Sequence, residues 1–328
     1  MPARKMTTEI EKELKKKHYG VFNHSAVQIC SWTKKSLFDQ NFCYKQKFYG
    51  VDCHRCMELS PAAVFCGHNC IFCWRPMEFM KSATLKKEEA DEPKDIYENL
   101  LKSRYKMING FPGNEKINMK KFRETLKPSH FAISLSGEPT LYPKLPELIR
   151  FLKSLEQTKS IFLVTNGQEP KMLERLGKEK ALPTQLYVSV NAPDEKLFRR
   201  IVCPTGKDVW KNFLRSLEIV SNMKTRRIMR LTLIKGMNMK KGFVSEYADL
   251  VKRMNPHFIE AKAYMWLGYS RKRLKQENMP FHKDVQEFAD LIARETGFEI
   301  LDEKPDSRIV LLGNQNERID RIIRSVDM

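Results

Sequence analysis

Three cysteines stand in the run Cys66-Gly67-His68-Asn69-Cys70-Ile71-Phe72-Cys73-Trp74, separated by three and then two intervening residues. Thiolates at that spacing can hold three irons of a 4Fe-4S cluster and leave the fourth iron open to a substrate. A structural zinc site needs four ligands, and His68 or Cys56 could complete one, so zinc is the competing reading of the same residues. A second set lies upstream, where Cys30, Cys43 and Cys56 follow one another at intervals of 13. Three more thiolates allow a second cluster with its own open iron; the alternative is one cluster plus free cysteines. Cys53 competes for the place of Cys56 through the compact run Cys53-His54-Arg55-Cys56. The remaining cysteine, Cys203, reads as a packed thiol.

Cysteines concentrated in this way, in a compartment that keeps thiols reduced, point to a metal or redox cofactor rather than a disulfide framework. No apolar run approaches the ~20 residues of a membrane span. The N-terminus, with Glu9, Glu11, Glu13, Lys15, Lys16 and Lys17, lacks the apolar stretch of a signal peptide, so a cytoplasmic location is expected. An apolar content of 41% and 10% aromatics exclude disorder. Fifty-nine Lys and Arg against 40 Asp and Glu leave a net charge of +19, which suits a polyanion such as nucleic acid or a surface of solvated lysines.

The elements that must position these thiols follow from the apolar runs. Ala62 to Phe65, Phe131 to Leu135, Ile161 to Thr165, Gln185 to Val190, Ile228 to Ile234 and Phe258 to Ala263 are strand-like in length and type. Segments of helical spacing lie between them, such as Ile96 to Met107, Leu145 to Leu155, Val209 to Met223 and Phe243 to Met254. Strand then helix about six times over predicts an α/β fold, a partial, open (β/α)6 barrel. Residues 1–60 read as a helix-rich, cysteine-bearing N-terminal extension, 61–270 as the barrel and 271–328 as a small C-terminal α/β addition. Turns at the strands' C-terminal ends become site candidates: Ser136-Gly137-Glu138-Pro139-Thr140, Asn166-Gly167-Gln168, Asn191-Ala192-Pro193-Asp194 and Lys235-Gly236.

A three-then-two cysteine loop with an aromatic before its last cysteine, on the first loop of such a barrel, resembles the radical S-adenosylmethionine superfamily. The resemblance implies that the open iron binds S-adenosylmethionine and that the cluster's electron cleaves it to methionine and a 5′-deoxyadenosyl radical. Ser136-Gly137-Glu138-Pro139 matches that family's Gly-Gly-Glu-Pro-like element with Ser136 in place of its first Gly, which implies that its backbone and Glu138 receive the methionine ammonium. The same resemblance implies that Asn166 joins this cofactor-binding set and that Ser189 and Asn191 would face the ribose or carboxylate. Longer motifs narrow the likeness: Cys43-Tyr44-Lys45-Gln46-Lys47-Phe48-Tyr49-Gly50, Asn69-Cys70-Ile71-Phe72-Cys73-Trp74-Arg75-Pro76, Ile133 to Pro143, Pro183 to Ser189, Arg230 to Gly236, and Tyr264 with Gly268-Tyr269-Ser270-Arg271. Over roughly residues 18 to 313 these are similar to the archaeal tRNA 4-demethylwyosine synthases, with Cys53 where a hydroxyl residue is expected.

That family is lyase-type and builds the tricyclic wyosine base. The resemblance implies that N1-methylguanosine-37 of phenylalanine tRNA, in the anticodon stem-loop, is joined to a two-carbon unit of pyruvate with two 4Fe-4S clusters and S-adenosylmethionine. An unactivated methyl group has no acidic proton, so a primary carbon radical must take its hydrogen. Cys66, Cys70 and Cys73 would carry the first cluster, and Cys30, Cys43 and Cys56 a second that chelates pyruvate. Lys45 would form an imine or supply positive charge, since a desolvated amine among cations gives up its proton more readily; phosphate or solvent contact is its other reading. A flavodoxin-like segment is absent from the chain, so a separate flavodoxin or ferredoxin is the expected reductant. A monomer is expected.

Arg75, Lys81, Lys86, Lys87, Lys235, Lys240, Lys241, Arg271, Lys272 and Arg273 are candidate phosphate contacts. Trp74, Trp266 and Tyr269 are candidate stacking platforms for an extruded guanine, or simply core. Two other readings remain open on sequence: another tRNA-modifying radical enzyme, of the methylthiolation type, and a non-enzymatic zinc or iron-sulfur RNA-binding module.

Overall fold

The computed structural model describes residues 3–76, 78 and 84–324. Its centre is one ten-stranded sheet in the order β1-β2-β3-β4-β5-β6-β7-β8-β10-β9. β3 (Cys56–Ser60), β4 (His130–Ile133), β5 (Ser160–Thr165), β6 (Gln185–Val190), β7 (Arg226–Leu233) and β8 (Phe258–Ala263) run parallel, each beside its predecessor. β1 (Tyr19–Phe22) and β2 (Ser25–Gln28) form a hairpin antiparallel to β3 at one edge. At the other edge β10 (Ile309–Gly313) pairs antiparallel with β8, and β9 (Glu299–Lys304) pairs antiparallel with β10 outside it. The six-unit partial barrel is the expected fold, and one sheet continues through all three of the expected segments.

α1 (Thr8–Lys16), α2 (Ser31–Leu37) and α3 (Tyr44–Tyr49) precede the parallel strands. The crossovers carry α4 (Pro93–Ile108), α5 (Met119–Thr125), α6 (Leu145–Ser154), α7 (Pro170–Lys178), α8 (Glu195–Val202), α9 (Val209–Ser221) and α10 (Val244–Met254), and α11 (His282–Thr296) leads into β9. Alternate strand residues face opposite sides. Met57, Leu59, Phe131, Ile133, Ile161, Leu163, Leu186, Val188, Met229, Leu231, Ile259 and Ala261 pack under the helices in the main core. Phe162, Tyr187, Ile228 and Phe258 point the other way, into the lumen, where Tyr44, Phe48 and Tyr49 of α3 plug the barrel in a separate cluster.

Two expectations need correction. The first parallel strand is Cys56–Ser60, whereas residues 61–64 form a turn. Ala62 and Ala63 are fully buried because that turn is pressed between the β1–β2 hairpin, where Ala63 N–H donates to His24 O at 2.9 Å, and the chain at Gly137. Burial, not strand pairing, made the run apolar. The leader is also less helical than expected, since its aromatics Tyr19 and Phe22 belong to the hairpin, turned by Asn23 at φ 47°.

Candidate active site

The loop after β3 is stitched to several other elements. Asn69 and Ile71 N–H groups donate to Val202 O at 3.1 Å and Ile201 O at 2.9 Å, and Glu138 N–H donates to Phe65 O at 2.7 Å. Arg273 clamps the loop from beyond β8: Nε donates to Ile71 O at 3.2 Å, Nη2 donates to Cys73 O, and Nη1 pairs with Glu78 at 2.5 Å. Burial pushes the Cys66 thiol up to about 12 and raises Cys70 and Cys73; Cys66 and Cys70 each also feel Cys73. Three such thiols ionise together only when a cation holds them. Among the described residues no three His, Cys, Asp or Glu side chains are close enough to share one metal ion. A cubane spreads its thiolates over separate irons, and the three thiols of this loop fit such a cluster. His68 packs edge-on against Phe198 at 5.7 Å with both ring nitrogens buried and unpartnered, and burial alone lowers it to about 3.

The turn after β4 abuts this loop. Gly137 has φ +70°, and a Cβ there would stand 2.0 Å from Ala62 O. Only glycine fits. Ser136 Oγ donates to Ala63 O at 2.7 Å. Glu138 is buried, and its Oε1 accepts from Thr140 N (3.1 Å), Thr140 Oγ1 (2.6 Å) and Thr165 Oγ1 (2.7 Å), while Oε2 accepts from Asn166 N at 2.8 Å. Burial raises the Glu138 carboxyl and these donors hold it down. Asn166 Nδ2 lies 3.9 Å from Cys66 Sγ. Ser189 faces the lumen opposite Arg230 in register. Asn191 is buried with Oδ1 unpartnered, while its carbonyl accepts from Asn238 Nδ2 at 2.8 Å.

The second set gathers at the other end of β3. Cys56 is that strand's first residue, Cys30 caps α2 and accepts from Thr33 N at 3.4 Å, and Cys43 caps α3. The charges of Cys30 and Cys43 both act on Cys56. Burial pushes Cys30 up to about 11 and Cys56 up to about 12. Cys43 is instead lowered to about 7, first by the Cys53 thiol and then, against burial, by Lys45. Cys53 is fully buried against Cys43, whose N–H donates to its Sγ at 3.4 Å. Cys30, Cys43 and Cys56 lie near enough to influence one another's ionisation, and three thiols suit a second cluster.

Between the two sets the lumen is charged. Lys45 Nζ lies 4.4 Å from the Phe162 ring centre and 5.5 Å from that of Tyr187, with no hydrogen bond or ion pair among the described residues. Arg230, Glu58, Glu260 and Lys262 face inward from β7, β3 and β8. Arg230 likewise makes no hydrogen bond or ion pair there, while Lys262 donates to Ser307 O at 2.6 Å. Tyr49 donates to Glu260 Oε1 at 2.8 Å, and Glu260 Oε2 is buried without a partner. Burial lowers Lys262 to about 8 and raises Glu58. Sequence reasoning missed these four. Their signal was a charge set inside otherwise apolar strands, with Glu260 and Lys262 two residues apart on β8.

The basic candidates divide. Arg75 is buried, donating to Gln28 Oε1 at 3.0 Å and to Tyr19 OH with Glu58 at 3.7 Å, so its use is internal and the phosphate assignment is corrected. Arg273 is spent on the cysteine loop. Lys235 pairs with Asp284 at 2.9 Å, and Arg271 donates to Trp266 O at 3.1 Å. Lys86, Lys87, Lys240, Lys241 and Lys272 are exposed, and Lys81 lies outside the described residues. Trp74 is exposed under the Arg75 guanidinium. Trp266 Nε1 donates to Leu274 O at 2.8 Å and Tyr269 OH donates to Glu13, which ties both rings down. Among the described residues no helix is long and apolar enough to cross a membrane.

Comparison with known proteins agrees with this geometry. The radical SAM superfamily model matches residues 61–242, and the model for wyosine base formation matches residues 253–314. The S-adenosyl-L-methionine-dependent tRNA 4-demethylwyosine synthase of Pyrococcus abyssi is 45% identical, covering 94% of this chain and 89% of that protein. The Methanocaldococcus jannaschii synthase is 39% identical over 95% of this chain and 98% of its own. A solved TYW1 with a lysine-pyruvate adduct bound superposes with a TM-score of 0.86 at 37% identity, covering 97% of this chain and 99% of the other. The chain therefore belongs to the tRNA 4-demethylwyosine synthases, radical enzymes of wyosine-base formation in tRNA that use S-adenosylmethionine and 4Fe-4S chemistry.

Proposed function

We propose that Cys66, Cys70 and Cys73 hold one 4Fe-4S cluster, that Cys30, Cys43 and Cys56 hold a second, and that Lys45 fixes pyruvate as an imine between them for condensation with N1-methylguanosine-37 of phenylalanine tRNA. One observation carries the reading: Lys45 presents its primary amine to the lumen rings of Phe162 and Tyr187, with no hydrogen bond or ion pair among the described residues. The lysine-pyruvate adduct in the related TYW1 supports it.

When bound, the first cluster and S-adenosylmethionine supply a primary carbon radical able to take hydrogen from the methyl group. The chain's own residues do the positioning. The turn at Gly137 and Glu138 offers backbone carbonyls and a carboxylate to an ammonium, and the unpartnered Asn191 Oδ1 accepts a hydroxyl. Lys45 Nζ adds to the keto carbon of pyruvate and water leaves, giving the imine. Arg230, with no hydrogen bond or ion pair among the described residues, and Lys262 set positive charge for the pyruvate carboxylate, and Phe162 and Tyr187 keep bulk water off the joined carbon. Exposed Lys86, Lys87, Lys240, Lys241 and Lys272 meet tRNA phosphates. A separate flavodoxin or ferredoxin delivers the electron to a monomeric enzyme.

Borohydride reduction in the presence of pyruvate tests the central step. A carboxyethyl group on the Lys45 peptide, read by mass spectrometry, is the expected result. No adduct, or unchanged turnover in Lys45→Arg, removes the imine.

A further inference from the structure

The segment from β8 to α11 crosses the rim at the C-terminal ends of the barrel strands. β7 and β8 end together there, with Leu233 opposite Ala263. Just beyond, Lys235 N–H donates to Asn278 O at 2.9 Å and Asn278 Nδ2 donates back to Lys235 O at 3.1 Å. Arg308 donates to Pro280 O at 2.7 Å, and Phe281 N–H donates to Asp284 Oδ2 at 2.7 Å. The backbone at Phe281 is therefore fixed, yet its side chain is 66% exposed. Two cations flank the ring: the Arg308 guanidinium lies 5.4 Å from its centre and Lys235 Nζ 5.8 Å. Asp284 pairs with Lys235 at 2.9 Å, and Arg308 leaves the group positive.

A single exposed ring is ordinary on a protein surface. Position sets this one apart. Phe281, Trp74 and Leu267 are the three most exposed large apolar side chains among the described residues, and all three stand on the loops that follow β3 or β8. Those loops touch, since Tyr269 N–H donates to Trp74 O at 3.1 Å. Cations also lie over the neighbouring rings, Arg75 over Trp74 and Arg271 over Trp266. Aromatic faces interleaved with cations suit unpaired nucleotides, whose bases stack and whose phosphates meet the charge. Drawing a guanine out of its loop also bares the faces of its neighbours.

We propose that Phe281 is a stacking platform for an unpaired nucleotide of the tRNA loop other than the one that reacts, with Arg308 and Lys235 placed for that nucleotide's phosphate. This rests on the reading of the substrate as a tRNA whose anticodon loop meets this rim. A ring on a backbone already fixed loses little freedom when a base settles on it.

The test compares full-length wild type, Phe281→Ala and Phe281→Trp in filter binding to the tRNA anticodon stem-loop and to a blunt RNA duplex of equal length. Phe281→Ala is expected to weaken stem-loop binding on the order of tenfold and Phe281→Trp to retain it. Duplex binding is expected to stay the same in all three, because paired bases keep their faces covered. The slope of log affinity against log salt is expected to be unchanged in Phe281→Ala, since the ring carries no charge. An unchanged melting temperature will show that the loss is not one of folding. 5-Iodouridine placed singly in the loop and irradiated is expected to cross-link to the Phe281 peptide. Equal stem-loop affinity of wild type and Phe281→Ala overturns the role of Phe281 alone, and so does an equal loss on stem-loop and duplex. A wild-type dimer that Phe281→Ala dissociates in sedimentation assigns the ring to a second copy of the chain and overturns it too. Wild type that fails to bind the stem-loop overturns the tRNA reading at this rim, and this inference with it.

Discussion

Lys45 and Lys47 are two residues apart on α3 and lie on opposite sides of the barrel wall. Lys45 Nζ sits 4.4 Å from the Phe162 ring centre in the lumen, whereas Lys47 Nζ donates to Glu303 O at 2.6 Å and pairs with Asp302 at 2.8 Å outside. Two lysines that read alike in sequence therefore have separate uses. Lys45→Arg is expected to lower turnover on the order of 10²-fold or more, since the charge remains and the nucleophile and its reach do not. Lys47→Ala is expected to cost no more than about 1 kcal/mol of stability and to leave turnover intact. Single-turnover assays beside urea melts separate the two.

Gly137 is held by backbone on both sides. Alanine there meets left-handed strain of roughly 1–2 kcal/mol and a carbonyl, Ala62 O, 2.0 Å from its Cβ. Together with overpacking, the expected loss exceeds about 3 kcal/mol. Iron content should fall as well, because Glu138 N–H binds Phe65 O next to Cys66. Gly110→Ala, with nothing within 4 Å of its Cβ, is the neutral control.

Two histidines are locked neutral. His24 Nε2 accepts from Asp91 N–H at 2.9 Å while Nδ1 lies 2.6 Å from Pro61 O, and His257 Nδ1 accepts from Arg227 N–H at 3.0 Å. Burial lowers His24, and burial followed by Arg227 lowers His257 to about 4. Below the unfolded value of 6.5 the unfolded chain binds protons that the folded chain refuses, so stability falls as pH drops from about 6.5 towards 4. Melting temperatures at stepped pH should show this slope, and His257→Gln should flatten it. An unchanged slope in that variant would contradict the assignment.

Phosphate-led binding of tRNA has a measurable signature. Lys240→Ala and Lys241→Ala are each expected to lower the slope of log affinity against log salt by about 1. Arg75→Met, whose guanidinium serves Tyr19, Gln28 and Glu58 inside the fold, should destabilise the protein and leave that slope alone. Filter-binding titrations across salt concentrations make the comparison.

Local signals in the sequence carried much of this molecule. β6 and β8 lie at the bounds expected from their apolar runs, and α4, α6, α9 and α10 lie within a few residues of theirs, because periods of two and 3.6 are written in adjacent residues. The loop that groups Cys66, Cys70 and Cys73 was equally legible, since three thiols on one short loop need no distant partner to stand near one another. Tertiary structure alone decided the rest. It began the barrel at Cys56, so that the two cysteine sets stand at opposite ends of β3. It also turned Lys45 inward and Lys47 outward, buried Arg75, and brought Arg230, Glu58 and Lys262 into one lumen from strands far apart in the chain. Closing a sheet makes alternate residues of many strands converge, and no spacing along the chain records that convergence.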